Sequence, residues 1–545
     1  MKFKNRIRKG IAFASIALMS GGVLAACGGS GSDSGSTTTA TTAASESSTT
    51  TTAASTTTAS SSASSDRPTL RFAGNGGMTM DPATKYEGWV TIRNGVAETL
   101  FKLDDAMEAQ PFLAESFKLS DDKLTYEIKL KDGITFQNGK PCDAEAVKKS
   151  LQRTIDINDR APDDLKIAKM EADGLTLKIT TSEPNPAFIN NLTDPYACII
   201  DADSTDDFGE KPIGTGPYMV EKLDVDKQTT YVPYDGYWQG KPGLSKLEVI
   251  AVADKDTMVA AMQSGDIDMA YGMSYEGQNM LKDDPHYKLL TTPTSRVYKI
   301  YHNMNNKHLQ NVNVRKAINM LIDKDTYGSV VMNGFGAPAV GAFPENTIYG
   351  EGLTATTFDV EGAKKLLEQE GYKDTNGNGT LDKDGEELTM RIVTYSSRAE
   401  LPLLAEAMQE QFRQVGIDSS VSISESITDT LKADEFEISP YAFVTMPTGD
   451  PSSYIHTVFG SQGTNNFSHY NNPEVDELIK QLDAEFDTDK RGEITRKIVQ
   501  HVLDDEAMCF MDRLKMSIVT TDKVTGVTPH PSDYYQITYE TTKTE

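Results

Sequence analysis

Two apolar rhythms alternate along the chain from about residue 66 onward. Over Leu124–Phe136, LTYEIKLKDGITF, apolar and polar residues alternate on either side of Lys131-Asp132-Gly133, a period-two pattern that predicts a β-hairpin. The stretch CDAEAVKKSLQRTI then changes to helical spacing, with Asp143 placed to cap and Ala146, Val147, Leu151 and Ile155 on one face. A second unit is cleaner. Leu388–Thr394 reads as a strand, Leu401, Leu404, Met408, Phe412 and Val415 share one helical face, Gly416 stops the helix, and Ile417–Ile423 returns as a strand. Strand, helix and strand of this length predict a parallel crossover, so the expected class is α/β with antiparallel additions.

The first 65 residues follow neither rhythm. Lys2, Lys4, Arg6, Arg8 and Lys9 precede the apolar run Ile11–Met19, and small residues then lead to Cys27. That order is a secretory signal over 1–26, too short to read as a permanent membrane helix. Leu24-Ala25-Ala26-Cys27 resembles the bacterial lipobox, in which the cysteine is acylated and becomes the mature N-terminus. Residues 27–65 are then a lipid-anchored Ser/Thr-rich linker, since Gly28–Ser65 holds one Asp, one Glu and no aromatic residue. Such a composition buries too little apolar surface to offset the entropy of ordering it. The remaining body of about 480 residues is large enough for two or three domains.

Charge narrows the partners. The chain carries −27, and losing the five basic residues of the signal would take it to −32. Such a body repels nucleic acid and gains nothing from an anionic lipid surface, so membrane attachment has to come from the lipid on Cys27. After Cys27 come Cys142, Cys198 and Cys509. An odd number leaves at least one unpaired, and all three read best as small buried residues.

Several stretches together carry a family likeness. PIGTGPYMVEKL (Pro212–Leu223), YDGYWQGKPGLSKLEVIAVADKDTMVAAMQSGDIDMAYG (Tyr234–Gly272) and VRKAINMLIDKD (Val314–Asp325) resemble the extracytoplasmic solute-binding proteins, family 5, of peptide and nickel ABC importers. NGKPCDAEAVKKSL and NNPEVDELI do so too. The resemblance runs in order from about Leu70 to the C-terminus. It implies a two-lobed periplasmic-binding-protein-like fold of class II type whose lobes hinge shut on a ligand. Carried over, lobe one spans 66–302 with an extra subdomain at 81–205 and is completed by 513–545, and lobe two spans 303–512. It also implies a monomer serving an ABC permease and ATPase, held by its lipid on the outer face of the membrane of a bacterium without an outer membrane. A leash of this kind keeps the binder near its permease.

The same likeness offers two ligand classes, and the chain is closer to the nickel or metal-chelate branch. In YAFVTMPTGDPSSY (Tyr441–Tyr454), aligning Asp450-Pro451 with the family's acid and proline puts Pro447 where peptide binders usually carry the aspartate that meets the peptide's amino terminus. Asp450 reads equally as a ligand contact or as a turn residue before Pro451. In QRTIDINDRAPDDLKI (Gln152–Ile167), Arg160 falls on the arginine that holds a chelator's carboxylate in nickel binders. A guanidinium suits that task because it is planar, two-pronged and always charged, although a surface arginine balancing nearby aspartates is the commoner fate. Trp89 and Arg93 in EGWVTIRNGVAETLF, Tyr441 and Thr445 in the segment above, and Asn465 and Asn466 in SQGTNNFSHY complete the candidate contacts. Trp89 reads as well as a core residue.

The seven histidines, His286, His302, His308, His456, His469, His501 and His530, form no i,i+4 pair and no His-Glu-x-x-His motif. Thr464 stands where the nickel branch has a histidine. Bare divalent metal held by protein ligands is therefore disfavoured, and nickel is expected to arrive wrapped by a small chelator. DTNGNGTLDKDGEE (Asp374–Glu387) opens like a calcium loop, with Asp374, Asn376, Asn378 and Asp382 as candidate ligands. Gly385 occupies its twelfth position, however, and a plain Gly-rich hairpin is the favoured reading, with no resident cofactor. Two other classes compete with the importer. An enzyme is disfavoured because G-x-S-x-G, G-x-x-x-x-G-K and zinc-hydrolase spacings are missing from the sequence. A surface sensor or adhesin on the same fold is the second rival. Oligopeptide or dipeptide import is the alternative ligand reading.

Overall fold

The computed structural model describes residues 67–544 apart from 75, 205–206 and 253. The expected signal over 1–26, Cys27 and the expected linker over 27–65 lie outside the described residues. Ten strands follow one another across a single sheet, and Gly336–Pro338 pairs at the side. Their order begins with Asp418–Ile423, Thr389–Thr394, Ile438–Val444, Tyr287–His302 and Met508–Thr521. It continues through Met269–Tyr271, Thr69–Ala73, Lys246–Ile250, Gln228–Pro233 and Tyr218–Lys222. Each end of this sheet is the spine of one lobe.

In lobe two the predicted crossover forms. Thr389–Thr394 and Asp418–Ile423 run parallel, joined by the helix Glu400–Gln414. Leu401, Leu404, Met408 and Phe412 are fully buried, as the 3.6-residue period requires. Gly416 takes φ +82° just past the helix, a left-handed position that favours glycine.

The hairpin expected over Leu124–Phe136 does not form. Its first arm is a strand, Thr125–Leu130, but that strand pairs with Ala114–Leu119 and Thr176–Thr181. With Ile167–Asp173 these make a separate four-stranded antiparallel sheet. Beyond the turn, the Lys131 N–H bonds the Leu113 carbonyl at 3.0 Å and the Phe136 N–H bonds Lys140 at 2.8 Å. Ile134 and Phe136 are buried in the small sheet's core instead of facing a partner strand. Alternation reported burial correctly and the pairing wrongly. The helix Ala144–Ile157 begins where expected, with the Asp143 carboxylate accepting from the Ala146 N–H at 3.0 Å. Its buried face is Ala144, Val147, Ser150, Leu151 and Thr154, while Ala146 and Ile155 sit half-buried at the edges. Cys142, Cys198 and Cys509 are all buried and unpaired.

The lobes are joined by two long antiparallel strands. Tyr287–His302 and Met508–Thr521 stay paired from Tyr287↔Thr521 to Tyr301↔Met508, with register breaks at Pro293/Val297 and Tyr298/Lys299. Met516 and Ile518 pack in the lobe-one core with Leu70 and Val249, whereas Cys509 and Met511 pack in the lobe-two core with Ile318 and Met408. Tyr298 and Ile300 already belong to the lobe-two core, so Tyr287–His302 changes lobe within its length, ahead of residue 302.

Two ionisable groups are buried where the strands enter lobe two. The Lys299 ammonium lies 4.2 Å from the Tyr301 ring centroid and 4.7 Å from that of Tyr454, whose hydroxyl is 2.9 Å away. Burial holds its pKa well below the usual lysine range. Asp512 is fully buried, and neither carboxylate oxygen has a hydrogen-bond partner among the described residues. Burial, only partly offset by Lys324, pushes its pKa up to about 7. A carboxyl raised in this way favours the folded state most below its unfolded pKa, and that advantage is lost as pH rises through about 7. Asp512→Asn should therefore raise stability more at pH 8 than at pH 5, with a difference on the order of 1–3 kcal/mol. Urea unfolding at the two pH values measures this; equal effects at both would show that the carboxyl does not titrate in this range.

Candidate functional site

Between the lobes lies a cavity of about 350 Å³. Lobe one contributes Trp89 and Arg93 from the short helix Gly88–Arg93, and Tyr271 from the end of the strand Met269–Tyr271. The crossing strands contribute Thr294, Ser295 and Arg296 on one side and Leu514–Ser517 on the other. Lobe two contributes Arg398 and Glu400, where strand Thr389–Thr394 passes into its helix, and the C-terminal segment adds Asp533 and Tyr534. Larger grooves exist elsewhere, such as one of about 710 Å³ on lobe two around Asn306 and Asp418 and one of about 780 Å³ along the crossing strands around Leu289 and Pro293. In the first of these both cations are already paired, Lys307 with Glu386 and Arg391 with Glu437 at 2.8 Å.

The register break at Pro293/Val297 sets the cavity floor. The Thr445 N–H and hydroxyl both donate to the Ser295 carbonyl, at 2.9 and 3.0 Å, and the Thr294 hydroxyl donates to the Leu514 carbonyl at 2.8 Å. With the bulge pinned on both sides, Arg296 lines the cavity. Arg93 is fixed differently. Its Nε donates to the Asp533 carbonyl at 2.7 Å, its Nη2 bonds the Asp533 carboxylate, and its guanidinium lies 5.2 Å from the Trp89 ring centroid. The Tyr271 hydroxyl donates to the same carboxylate at 2.9 Å.

Arg296 and Arg398 have no such partners. Among the described residues neither guanidinium makes a hydrogen bond or ion pair. Burial and the neighbouring Arg398 charge both lower the Arg296 pKa. Holding two like charges together in a partly desolvated cavity is costly unless an anion joins them. The cavity as a whole leans the same way: Arg93, Lys255, Arg296, Arg398 and Lys515 face only Glu400 and Asp533. None of the seven histidines lines it.

Of the residues singled out in the sequence, the structure brings Trp89 and Arg93 together in this cavity. Arg160 is not in the lining. Its two prongs bond Asp194 at 3.0 and 3.2 Å, and it stacks on Tyr86, whose ring is 6.2 Å from Trp89. Tyr441 packs among Tyr301, Tyr395 and Phe443. Thr445 is occupied with Ser295, as above. The Pro447 carbonyl accepts from the Tyr534 hydroxyl at 2.7 Å. For Asp450 the ligand reading gives way to the structural one. One oxygen accepts from the Ser452 N–H at 2.8 Å and the other pairs with Arg491 at 2.6 Å, with both side chains buried. That leaves no carboxylate oxygen facing the cavity. Asn466 clamps its own loop, donating to Gly460 at 3.1 Å and Tyr470 at 2.7 Å, and the Asn465 N–H bonds Thr457 at 2.8 Å.

The Asp374 loop is a hairpin, Asp382–Lys383 against Glu386–Glu387. Asp374 accepts from the Gly377, Asn378 and Gly379 N–H groups, Asn376 from the Asn378 N–H, and Asp382 from Thr375. Among the described residues no group of three or more His, Cys, Asp or Glu side chains is placed to hold a metal.

Sequence reading missed Arg296, Arg398, Glu400 and Asp533. A signal existed for two of them. Arg398 and Glu400 follow the carboxyl end of a parallel strand that opens a crossover, the edge where α/β sheets bind ligands. Arg296 and Asp533 had no comparable local mark.

A charged cavity enclosed by two lobes that share a pair of crossing strands defines a two-lobed solute-binding protein. Residues 108–466 match the family of bacterial extracellular solute-binding proteins, family 5 (middle region), and the chain belongs to that family as a solute-binding protein of an ABC importer. It is 31% identical over 74% of its length to the glutathione-binding protein GsiB of Escherichia coli K12, covering 80% of that protein. A nickel ABC transporter structure from Bacillus halodurans superposes with TM-score 0.78 at 32% identity, over 87% of this chain and 98% of that one. NikA from Staphylococcus aureus in complex with Ni(L-His)2 gives TM-score 0.70 at 27% identity, over 88% and 100%.

The Asp450–Arg491 pair makes a stability prediction separate from ligand binding. Asp450→Ala should destabilise the protein by about 3–5 kcal/mol, because it strands a buried guanidinium. Thermal unfolding without ligand reads this directly; an unchanged melting temperature would contradict the role assigned to the pair.

Proposed function

We propose that the cavity takes a divalent metal, with nickel the best candidate, as a complex with a small carboxylate-bearing chelator. The observation that carries the reading is the pair of unpartnered guanidiniums, Arg296 and Arg398, in an interlobe cavity with no histidine in its lining. Carboxylates are the natural two-pronged partners of guanidinium, so the chelator's acids dock there and the chelator supplies the metal's ligands. The indole of Trp89 adds an aromatic surface to the same cavity. A cavity of about 350 Å³ suits a small solute better than an extended peptide. The nickel complex named for the Staphylococcus aureus relative supports this choice. Glutathione, named for the Escherichia coli relative, supports the peptide alternative, since it too carries carboxylates. In this reading Arg160 acts only at a distance, through Tyr86 and Trp89, and the protein binds its solute without chemistry and hands it to a permease driven by an ATPase.

Titration calorimetry should find a Ni(II)–L-histidine complex bound more tightly than free Ni²⁺ or peptides of two to five residues. Arg296→Ala and Arg398→Ala should each weaken binding by about tenfold or more, the cost of one charge-assisted contact. Peptide binding unaffected by either change, with no response to the complex, would overturn the chelate reading.

The anchor completes the proposal. Cys27 is taken as the lipid-bearing residue because small residues lead up to it and a Ser/Thr-rich leash follows. Among the described residues no helix is long and apolar enough to cross a membrane. Cys27→Ala should leave the body folded and shift it from the membrane fraction to the medium or to an uncut precursor. Mature protein still held tightly at the membrane would refute the lipid anchor.

A further inference from the structure

Three contacts cross from lobe one to lobe two at the edge of the cavity. Tyr275 opens the helix Tyr275–Leu281, which the Ser274 hydroxyl caps by accepting from the Gly277 N–H at 3.2 Å. Its ring lies flat on Phe335, centroids 4.7 Å apart and planes 6° apart. Its hydroxyl donates to the Glu400 carboxylate, on the first residue of the lobe-two helix. Beside them the Asn333 amide donates to Glu276 at 3.3 Å.

Glu400 is the telling member. It is two residues from Arg398 and shares the cavity lining with Arg398 and Arg296, yet it pairs with neither guanidinium. In so cationic a cavity a resident carboxylate is the obvious counter-ion. What it holds instead is a hydroxyl from the other lobe, and Tyr298 faces the same carboxylate. Burial and the nearby Glu400 charge raise the Tyr275 pKa far above its usual value, so the phenol remains a donor.

The geometry points to Tyr275 as a positioning residue of the ligand site: on closure its hydroxyl engages Glu400, keeping that carboxylate off Arg296 and Arg398 and leaving both guanidiniums for the ligand's acids. When the lobes part, Tyr275 leaves with lobe one, while Glu400 and Arg398 stay together in lobe two. Glu400 then neutralises Arg398, which quiets the open cavity and makes ligand and Glu400 competitors for the same cation. Closure and ligand binding are thereby coupled through one hydrogen bond. This inference rests on the reading that carboxylates bind the two arginines.

A four-protein comparison tests it, with parent, Tyr275→Phe, Glu400→Gln and the double variant titrated with Ni(II) premixed with L-histidine. Phenylalanine keeps the ring on Phe335 and removes only the hydroxyl. Tyr275→Phe is expected to weaken binding by about tenfold, Glu400→Gln to tighten it, and the double variant to match Glu400→Gln, since removing the competitor makes the hydroxyl unnecessary. Spin labels at Lys282→Cys and Glu406→Cys, both exposed in the native chain, report lobe separation at saturating ligand. All four proteins should close to the same distance. A double variant as weak as Tyr275→Phe, a Tyr275→Phe indistinguishable from parent, or failure of both Tyr275 variants to close would overturn the proposal by showing a plain structural clasp or none. If the nickel complex does not bind the parent, glutathione takes its place in the same comparison, so loss of the nickel reading does not decide this one. If neither binds, carboxylate recognition by the arginines is wrong and the proposal falls with it.

Discussion

The backbone ladder between Tyr287–His302 and Met508–Thr521 is the constraint on which the rest of this molecule depends. It is the stretch of sheet that belongs to both lobes, and its hydrogen bonds fix which faces look at each other across the cleft. A continuous ladder would be stiff. Here it is broken at Pro293/Val297, where proline cannot donate and the partner strand runs on. The break is not loose, because Thr445 and Thr294 tie it to the strands on either side. The result is a pinned bulge between the two lobes, and it delivers Arg296 to the floor of the cleft.

The distribution of charge follows from the same arrangement. A chain of net charge −27 places Arg93, Lys255, Arg296, Arg398 and Lys515 around one small cavity. Low-dielectric walls strengthen their field, and an acidic exterior discourages anions elsewhere. The groups fall into two kinds. Arg93 is neutralised and braced by Asp533, so it shapes the wall, while Arg296 and Arg398 remain available. Arg160 with Asp194 and Arg491 with Asp450 belong to the braced kind. An arginine is informative about ligand chemistry when the protein has left it unpaired, and residue type alone does not reveal that.

The cavity and a contact between the lobes meet at the lobe-two helix that starts with Glu400. Its N-terminal turn carries one of the cavity's two acids beside one of its unpaired arginines, while its buried face, Leu401 to Phe412, anchors it in the lobe-two core. The ring of Tyr275 on Phe335 gives the opposing lobe a matching surface at the same edge. The groups that line the cavity thus come from separate elements that meet only in the folded protein.

The sequence determined whatever depends on local period and local stereochemistry. The crossover over 388–423, the Asp143 cap, the glycine stop at Gly416 and the family's motifs are all written within a few residues, because helix and strand burial repeat at 3.6 and 2 residues. Partners across space left no such mark. Alternation over Leu124–Phe136 recorded which side chains are buried, but only the sheet decided that Thr125–Leu130 pairs with Ala114–Leu119 and Thr176–Thr181. Asp450 looked equally like a ligand contact and a turn residue until Arg491, on a distant helix, occupied its carboxylate. Arg296 and Arg398 are about a hundred residues apart, and their shared lack of a counter-ion is a property of the cleft. Tertiary structure decided which charges were neutralised within the protein and which were left without a counter-ion.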